Sequence, residues 1–168
     1  MSYFEDLTSY VYWGSRSSPP EAANVGWLDR EHNFPTQQPT EEFLDCLWNF
    51  CKHCVVKTRG FHRCELCSDE FSNFEQRKTE KLLLGTAEIR VISNDRVYAS
   101  PTLIYHYVSQ HHYKPPDDFI KAVIDGPSPT ADLYLKTVKE WDMSLEGTPV
   151  WNTKSFVLGP KHPNTLVR

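Results

Sequence analysis

No run of apolar residues in the chain approaches the length needed to cross a bilayer. The opening MSYFEDLTSY has neither the basic stretch nor the apolar run of a secretory signal. A cytoplasmic protein is the expectation. Positive charge is also in short supply: 18 Lys and Arg against 22 Asp and Glu leave a net charge of −4 and a pI near 6.0. There is thus no overall basic field to hold phosphates, and a nucleic-acid role would need a local patch. Internal repeats, a Gly-rich phosphate loop and a G-x-S-x-G nucleophile turn are all missing. A zinc deaminase needs an H-x-E element ahead of its cysteine pair, and His62-Arg63-Cys64 offers no glutamate there. These absences weigh against catalysis.

What is present suits one globular domain. A chain of 168 residues that is 39% hydrophobic and 13% aromatic can bury a core without disulfides. Residues 1–40, rich in Pro, Ser and Asn, read as loops and short extended pieces. TEEFLDCLWNFCKHCV (40–55) predicts a helix: Thr40 is a capping residue, Glu41 and Glu42 suit the positive end, and Leu44, Leu47, Trp48, Cys51, Cys54 and Val55 recur at helical spacing. SDEFSNFEQRKTEKLL reads as an exposed helix or a long connection. LLLGTAEIRVISNDRVYAS changes period and predicts a hairpin turning at SNDR. Ser100 and Pro101 look like a helix start, with the run continuing to Pro115 and Pro116. Further helices are expected at 117–125 and within ADLYLKTVKEWDM, before an irregular tail. The fold class is therefore α+β, a small antiparallel hairpin or sheet with helices in a single domain, 1–168.

Five cysteines, an odd number clustered between 46 and 67, fit core or metal-ligand roles in a reducing compartment. Cys64 and Cys67 form C-x2-C, and His106 and His111 form H-x4-H on the helix, giving C-x2-C-x38-H-x4-H. Two thiolates and two imidazoles suit tetrahedral zinc. A two-residue knuckle aims both sulfurs one way, and histidines four to five positions apart lie near one helical face. Knuckle, hairpin and helix in that order resemble a treble clef, spanning 58–124 as the zinc-containing element. Residues 126–168 are then a C-terminal extension, packed on it or partly irregular. His62 can replace a helix histidine, and His112 can replace His111. Cys51 and Cys54 offer an all-cysteine alternative, C-x2-C-x9-C-x2-C, although both sit in the apolar stripe of the first helix, where free cysteine packs as a small hydrophobe.

FEDL (4–7), NVGWLD (24–29), TRGFHRCELC (58–67), GTAEIRV (85–91) and YASPTLIYHYVSQHHYKPPDDFIKAV (98–123) resemble a family of short, uncharacterised bacterial proteins. Those proteins carry an NVGWLD segment, a TRG-x-H-x-C-x2-C element and a P-x-LI-x-HY-x3-H-x-Y-x-PP helix. The resemblance implies Cys64, Cys67, His106 and His111 as the matching positions, with His62 close behind. Cys54 and His112 look individual to this chain, which counts against the all-cysteine site. No activity comes with the resemblance.

A structural zinc that holds a scaffold, in a non-catalytic bacterial binding protein of the immunity or adaptor type, is the expected function. Its partner would be another protein, and Asn24, Trp27, Asp29, Arg59 and Arg63 are the candidate partner surface, although Trp27 reads first as core. Nucleic-acid binding is the alternative, through Lys52, Lys57, Arg59 and Arg63 with Phe61 for stacking. Acidic Glu65, Asp69 and Glu70 follow immediately and make a solvated rim the plainer reading. A zinc-dependent hydrolase is the second alternative: three protein ligands would leave a place for water.

Overall fold

The computed structural model describes residues 3–11, 22–57, 60–68, 73–141, 143 and 151–152. The chain is α+β. One sheet has the strand order β1 (Ala22–Asn24), β6 (Val97–Pro101), β5 (Ala87–Ile92), β2 (Val55–Lys57); β1 runs parallel to β6 and the other pairs are antiparallel. A second, antiparallel sheet contains β3 (Phe74–Arg77), β4 (Glu80–Leu83) and β7 (Trp151–Asn152). The helices are α1 (Glu41–Lys52), α2 (Ile104–His111), α3 (Asp117–Asp125) and α4 (Asp132–Glu140). Among the described residues, no helix is long and apolar enough to cross a membrane.

The first helix starts as its sequence predicts. Thr40 is the N-cap, its hydroxyl accepting from the Phe43 N–H at 3.2 Å, and Glu41 and Glu42 occupy the positive first turn. Phe43, Leu44, Leu47, Trp48, Phe50 and Cys51 form the buried stripe. The helix ends at Lys52 rather than running on to Val55. His53 leaves helical geometry, and Val55 enters β2 against β5. Cys54 is nevertheless fully buried, so both it and Cys51 are core residues.

The β5–β6 hairpin forms at the expected place. Its turn is closed by the Ser93 N–H to the Arg96 carbonyl and by the Ser93 hydroxyl. Ile89, Val91 and Tyr98 share one core with α1 and α3. Two expectations fail here. Ser100 and Pro101 end β6 instead of starting a helix: Pro101 pairs with Glu88 at the strand end, and α2 begins at Ile104 without a side-chain cap. The stretch 68–83 contains neither an exposed helix nor a long connection where it is described, but the β3–β4 hairpin, turning at Lys78 (φ +54°). Its alternation was hidden because a glutamate, Glu75, occupies a buried strand position beside buried Leu82.

The N-terminal pieces line the outer edge of β1. Leu7 N–H donates to Asn24 O, Asn24 N–H to Thr8 O and Tyr10 N–H to Ala22 O. Asp6 accepts from the Gly26 N–H and the Tyr113 hydroxyl, which ties this edge to the end of α2. Toward the C-terminus, α4 buries Tyr134 and Val138, and the Tyr134 hydroxyl donates to Arg90 O. The irregular tail expected after it lies mostly outside the described residues.

Candidate metal centre

The knuckle, residues 60–68, is held by backbone and amide contacts before any ligand is considered. His62 N–H donates to Gly85 O at 2.9 Å. Asn73, fully buried at the foot of β3, donates through Nδ2 to His62 O (2.6 Å) and Leu84 O (2.9 Å), and its Oδ1 accepts from the Cys64 N–H (3.4 Å). Arg30 closes the other side with Nε and Nη2 on Glu65 O at 3.1 and 2.9 Å. Gly85 is needed for this approach. Its φ is +88°, and a Cβ there would lie 2.2 Å from His62 O and 2.6 Å from Asn73 Nδ2.

Helix α2 supplies the other half. His106 and His111 are a little over one turn apart, and their ring centroids lie 5.0 Å from each other. Cys67 Sγ is 3.2 Å from His106 Nε2 and 3.3 Å from His111 Nε2; Cys64 Sγ is 3.3 Å from His111 Nε2, and the two Nε2 atoms are 3.2 Å apart. All four donor atoms fall within 4.8 Å of one another, so Cys64, Cys67, His106 and His111 could hold one metal ion.

Electrostatics run against charge on two of the bare side chains, Cys64 and His111. Burial pushes the Cys64 thiol up to about 11, and the nearby Cys67 adds to this, while the Leu66 and Cys67 backbone N–H groups oppose it. Burial and then the neighbouring His106 hold His111 below its usual value, which favours the neutral imidazole, the form that ligates. A cation between the four atoms would reverse the penalty on the Cys64 thiolate.

His106 has a further partner. Its Nδ1 lies 2.6 Å from Glu75 Oε1, and Gln110, one turn along α2, donates to Glu75 Oε2 at 3.2 Å. A carboxylate only accepts, so this contact places a proton on Nδ1, and in the neutral imidazole the lone pair is then on Nε2, the nitrogen toward the cluster.

The structure leaves the reserve histidines out. His62 contributes backbone groups to the knuckle and is not in the cluster. His112 is exposed at the end of α2, at φ +54°. The all-cysteine alternative fails, because Cys51 and Cys54 pack in the core and the Cys51 thiol faces Thr102 O. The candidate partner surface divides. Asn24 is buried, donating to Thr8 Oγ1 and Ser9 O, and Trp27 is buried with its indole N–H on Ala99 O, so both hold the fold. Asp29 caps a turn through the Glu31 and His32 N–H groups. Arg63 is exposed, and Arg59 lies outside the described residues. Of the alternative basic stretch, Lys52 is paired with Glu80 at 2.8 Å.

Asn73, Glu75, Gly85, Gln110 and Arg30 escaped the sequence reading in these roles. Gly85 alone carried a signal, a lone glycine between two apolar stretches. A family model described as "Domain of unknown function (DUF7919)" matches residues 2–124. No curated protein and no solved structure matches the chain.

Proposed function

The chain belongs to this domain family of unknown function, and we propose that it is a zinc-stabilised, non-catalytic binding protein whose metal is held by Cys64, Cys67, His106 and His111. The observation that carries this reading is the convergence of two sulfurs and two Nε2 atoms within 4.8 Å. A tetrahedral zinc with bonds of about 2.3 Å to sulfur and about 2.0–2.1 Å to nitrogen sets its ligands about 3.3–3.8 Å apart. Four of the six donor separations, at 3.2–3.3 Å, come within a few tenths of an ångström of that shell, and the other two, from Cys64 Sγ to Cys67 Sγ and to His106 Nε2, lie within 4.8 Å. Four protein ligands leave no position for water, which supports a structural ion rather than a hydrolytic one. Bound there, the ion ties the knuckle to α2 and contributes folding energy directly.

The partner we propose is another protein, of the kind an immunity or adaptor protein engages. A net charge of −4 disfavours a polyanion, and the pairing of Lys52 with Glu80 weakens the basic patch a nucleic acid would need. Metal analysis of the purified protein beside Cys64→Ser, His106→Ala, His111→Ala and Cys51→Ser tests the centre. About one zinc per chain is expected, lost in the first three variants and kept in the fourth. Metal-free wild type, or retention in the first three, refutes it. Titration with random-sequence DNA and RNA tests the partner class: no salt-dependent binding is expected, and a salt-dependent shift would replace the protein partner with a nucleic acid.

A further inference from the structure

Two residues at the start of one hairpin reach both halves of the centre. Asn73 braces the knuckle through the Cys64 N–H and His62 O, and Glu75, two positions on and also buried, contacts His106 Nδ1 at 2.6 Å. The hairpin carrying them is anchored from behind: Trp48 Nε1 and Lys52 Nζ of α1 both bond to Glu80 on β4, at 2.9 and 2.8 Å, and Arg77 on β3 reaches Asp45 at 2.7 Å. Neither Asn73 nor Glu75 belongs to the four-residue cluster. We infer that Glu75 is a positioning residue for the metal centre, fixing the tautomer and ring orientation of His106 so that Nε2 is held ready for the ion. This deepens the zinc reading above and rests on it.

The chemistry supports that role over simple packing. An imidazole free to choose its tautomer presents a proton at Nε2 part of the time and must pay to rotate or re-protonate on binding, whereas a carboxylate on Nδ1 removes both costs and makes the ring a better donor. Gln110 holds the second oxygen of the same carboxylate at 3.2 Å, so the carboxylate is oriented in turn.

The test uses the full chain as wild type, Glu75→Ala, Glu75→Gln and His106→Ala, with zinc affinity read by chelator competition. Glu75→Ala is expected to bind about 10–100-fold more weakly, and Glu75→Gln, whose amide oxygen still accepts from Nδ1, is expected to recover most of that loss. Ring nitrogen shifts of His106 in the zinc-loaded, labelled protein supply a readout that a packing role does not move. Wild type should show a protonated Nδ1 and a metal-bound Nε2, and Glu75→Ala a changed Nδ1 environment. The cobalt-substituted spectrum should keep the same sulfur and nitrogen ligand set in both Glu75 variants. If Glu75→Ala does not fold, Glu75→Gln carries the test: its neutral amide still accepts from Nδ1, but replacing the charged carboxylate should move the Nδ1 shift from its wild-type position. Wild-type affinity and unchanged His106 shifts in Glu75→Ala, or an unchanged Nδ1 shift in Glu75→Gln where only that variant folds, with zinc lost in His106→Ala, would overturn the positioning role and leave the metal centre standing. Absence of zinc from wild type would remove both.

Discussion

Gly85→Ala puts the link between backbone geometry and the metal centre to a direct test. At φ +88° the residue lies beyond the small left-handed region open to side chains, and a single L-residue held near there costs about 1–2 kcal/mol. The new methyl would sit 2.2 Å from His62 O and 2.6 Å from Asn73 Nδ2, so the knuckle must move away from the β4–β5 connection that carries residue 85. That movement breaks the Asn73 bond to His62 O, or the His62 bond to Gly85 O, and a buried polar group left unmet costs about 1–3 kcal/mol more. The sum is roughly 2–5 kcal/mol, a fall in melting temperature of about 4–20 °C for a chain of this size. Because the displaced segment carries Cys64 and Cys67, zinc affinity should fall with it. Gly60→Ala is the control: a Cβ there meets nothing closer than His62 Nε2 at 4.0 Å, and a change within about 0.5 kcal/mol is expected. Thermal unfolding of chelated and zinc-loaded samples, with metal content measured alongside, reads both effects. A Gly85→Ala protein that melts and binds zinc like Gly60→Ala would refute the argument that the knuckle is seated on Gly85.

Two further perturbations probe the scaffold. Arg90 and Glu88 form a buried ion pair at 2.7 Å, with Tyr10 donating to both Glu88 oxygens and its ring lying 4.7 Å from the guanidinium carbon. Glu88→Ala leaves the guanidinium buried without that carboxylate and should cost about 3–5 kcal/mol in urea unfolding, while the double change Glu88→Leu with Arg90→Met should recover much of it; a single-mutant cost under about 1 kcal/mol would contradict the burial argument. Glu80 is held below its usual value of 4.5, first by Lys52 and then by Trp48. Its folded-state value lies under the unfolded one, so its contribution is present above about pH 4.5 and is lost as pH falls through the folded value. In chelated protein, Glu80→Gln should flatten the acid limb of the stability curve, and identical limbs would show that Glu80 takes no part in it.

Local chemistry made much of this chain legible. The Thr40 cap, the acidic first turn and the apolar stripe of α1, the turn at SNDR and the helix after Pro116 are properties of short segments, and each appears where its residues require. Cys64, Cys67, His106 and His111 were also within reach, because few residue types offer soft donors and their spacings limit how they face. The β3–β4 hairpin was not legible. Glu75 reads as a surface charge until His106, 31 positions away, arrives to meet it, and a strand whose buried residue is a carboxylate shows no apolar alternation. His62 was set aside by the same kind of long-range contact: its backbone bonds to Gly85 and Asn73 hold the knuckle, and its ring stays out of the cluster. By itself the sequence determined which side chains could act as donors and where α1, the β5–β6 hairpin and α3 would form, since those follow from side-chain chemistry and near-neighbour sterics. Only the tertiary structure decided which donors meet and what orients them, because that depends on contacts across tens of residues that no local spacing encodes.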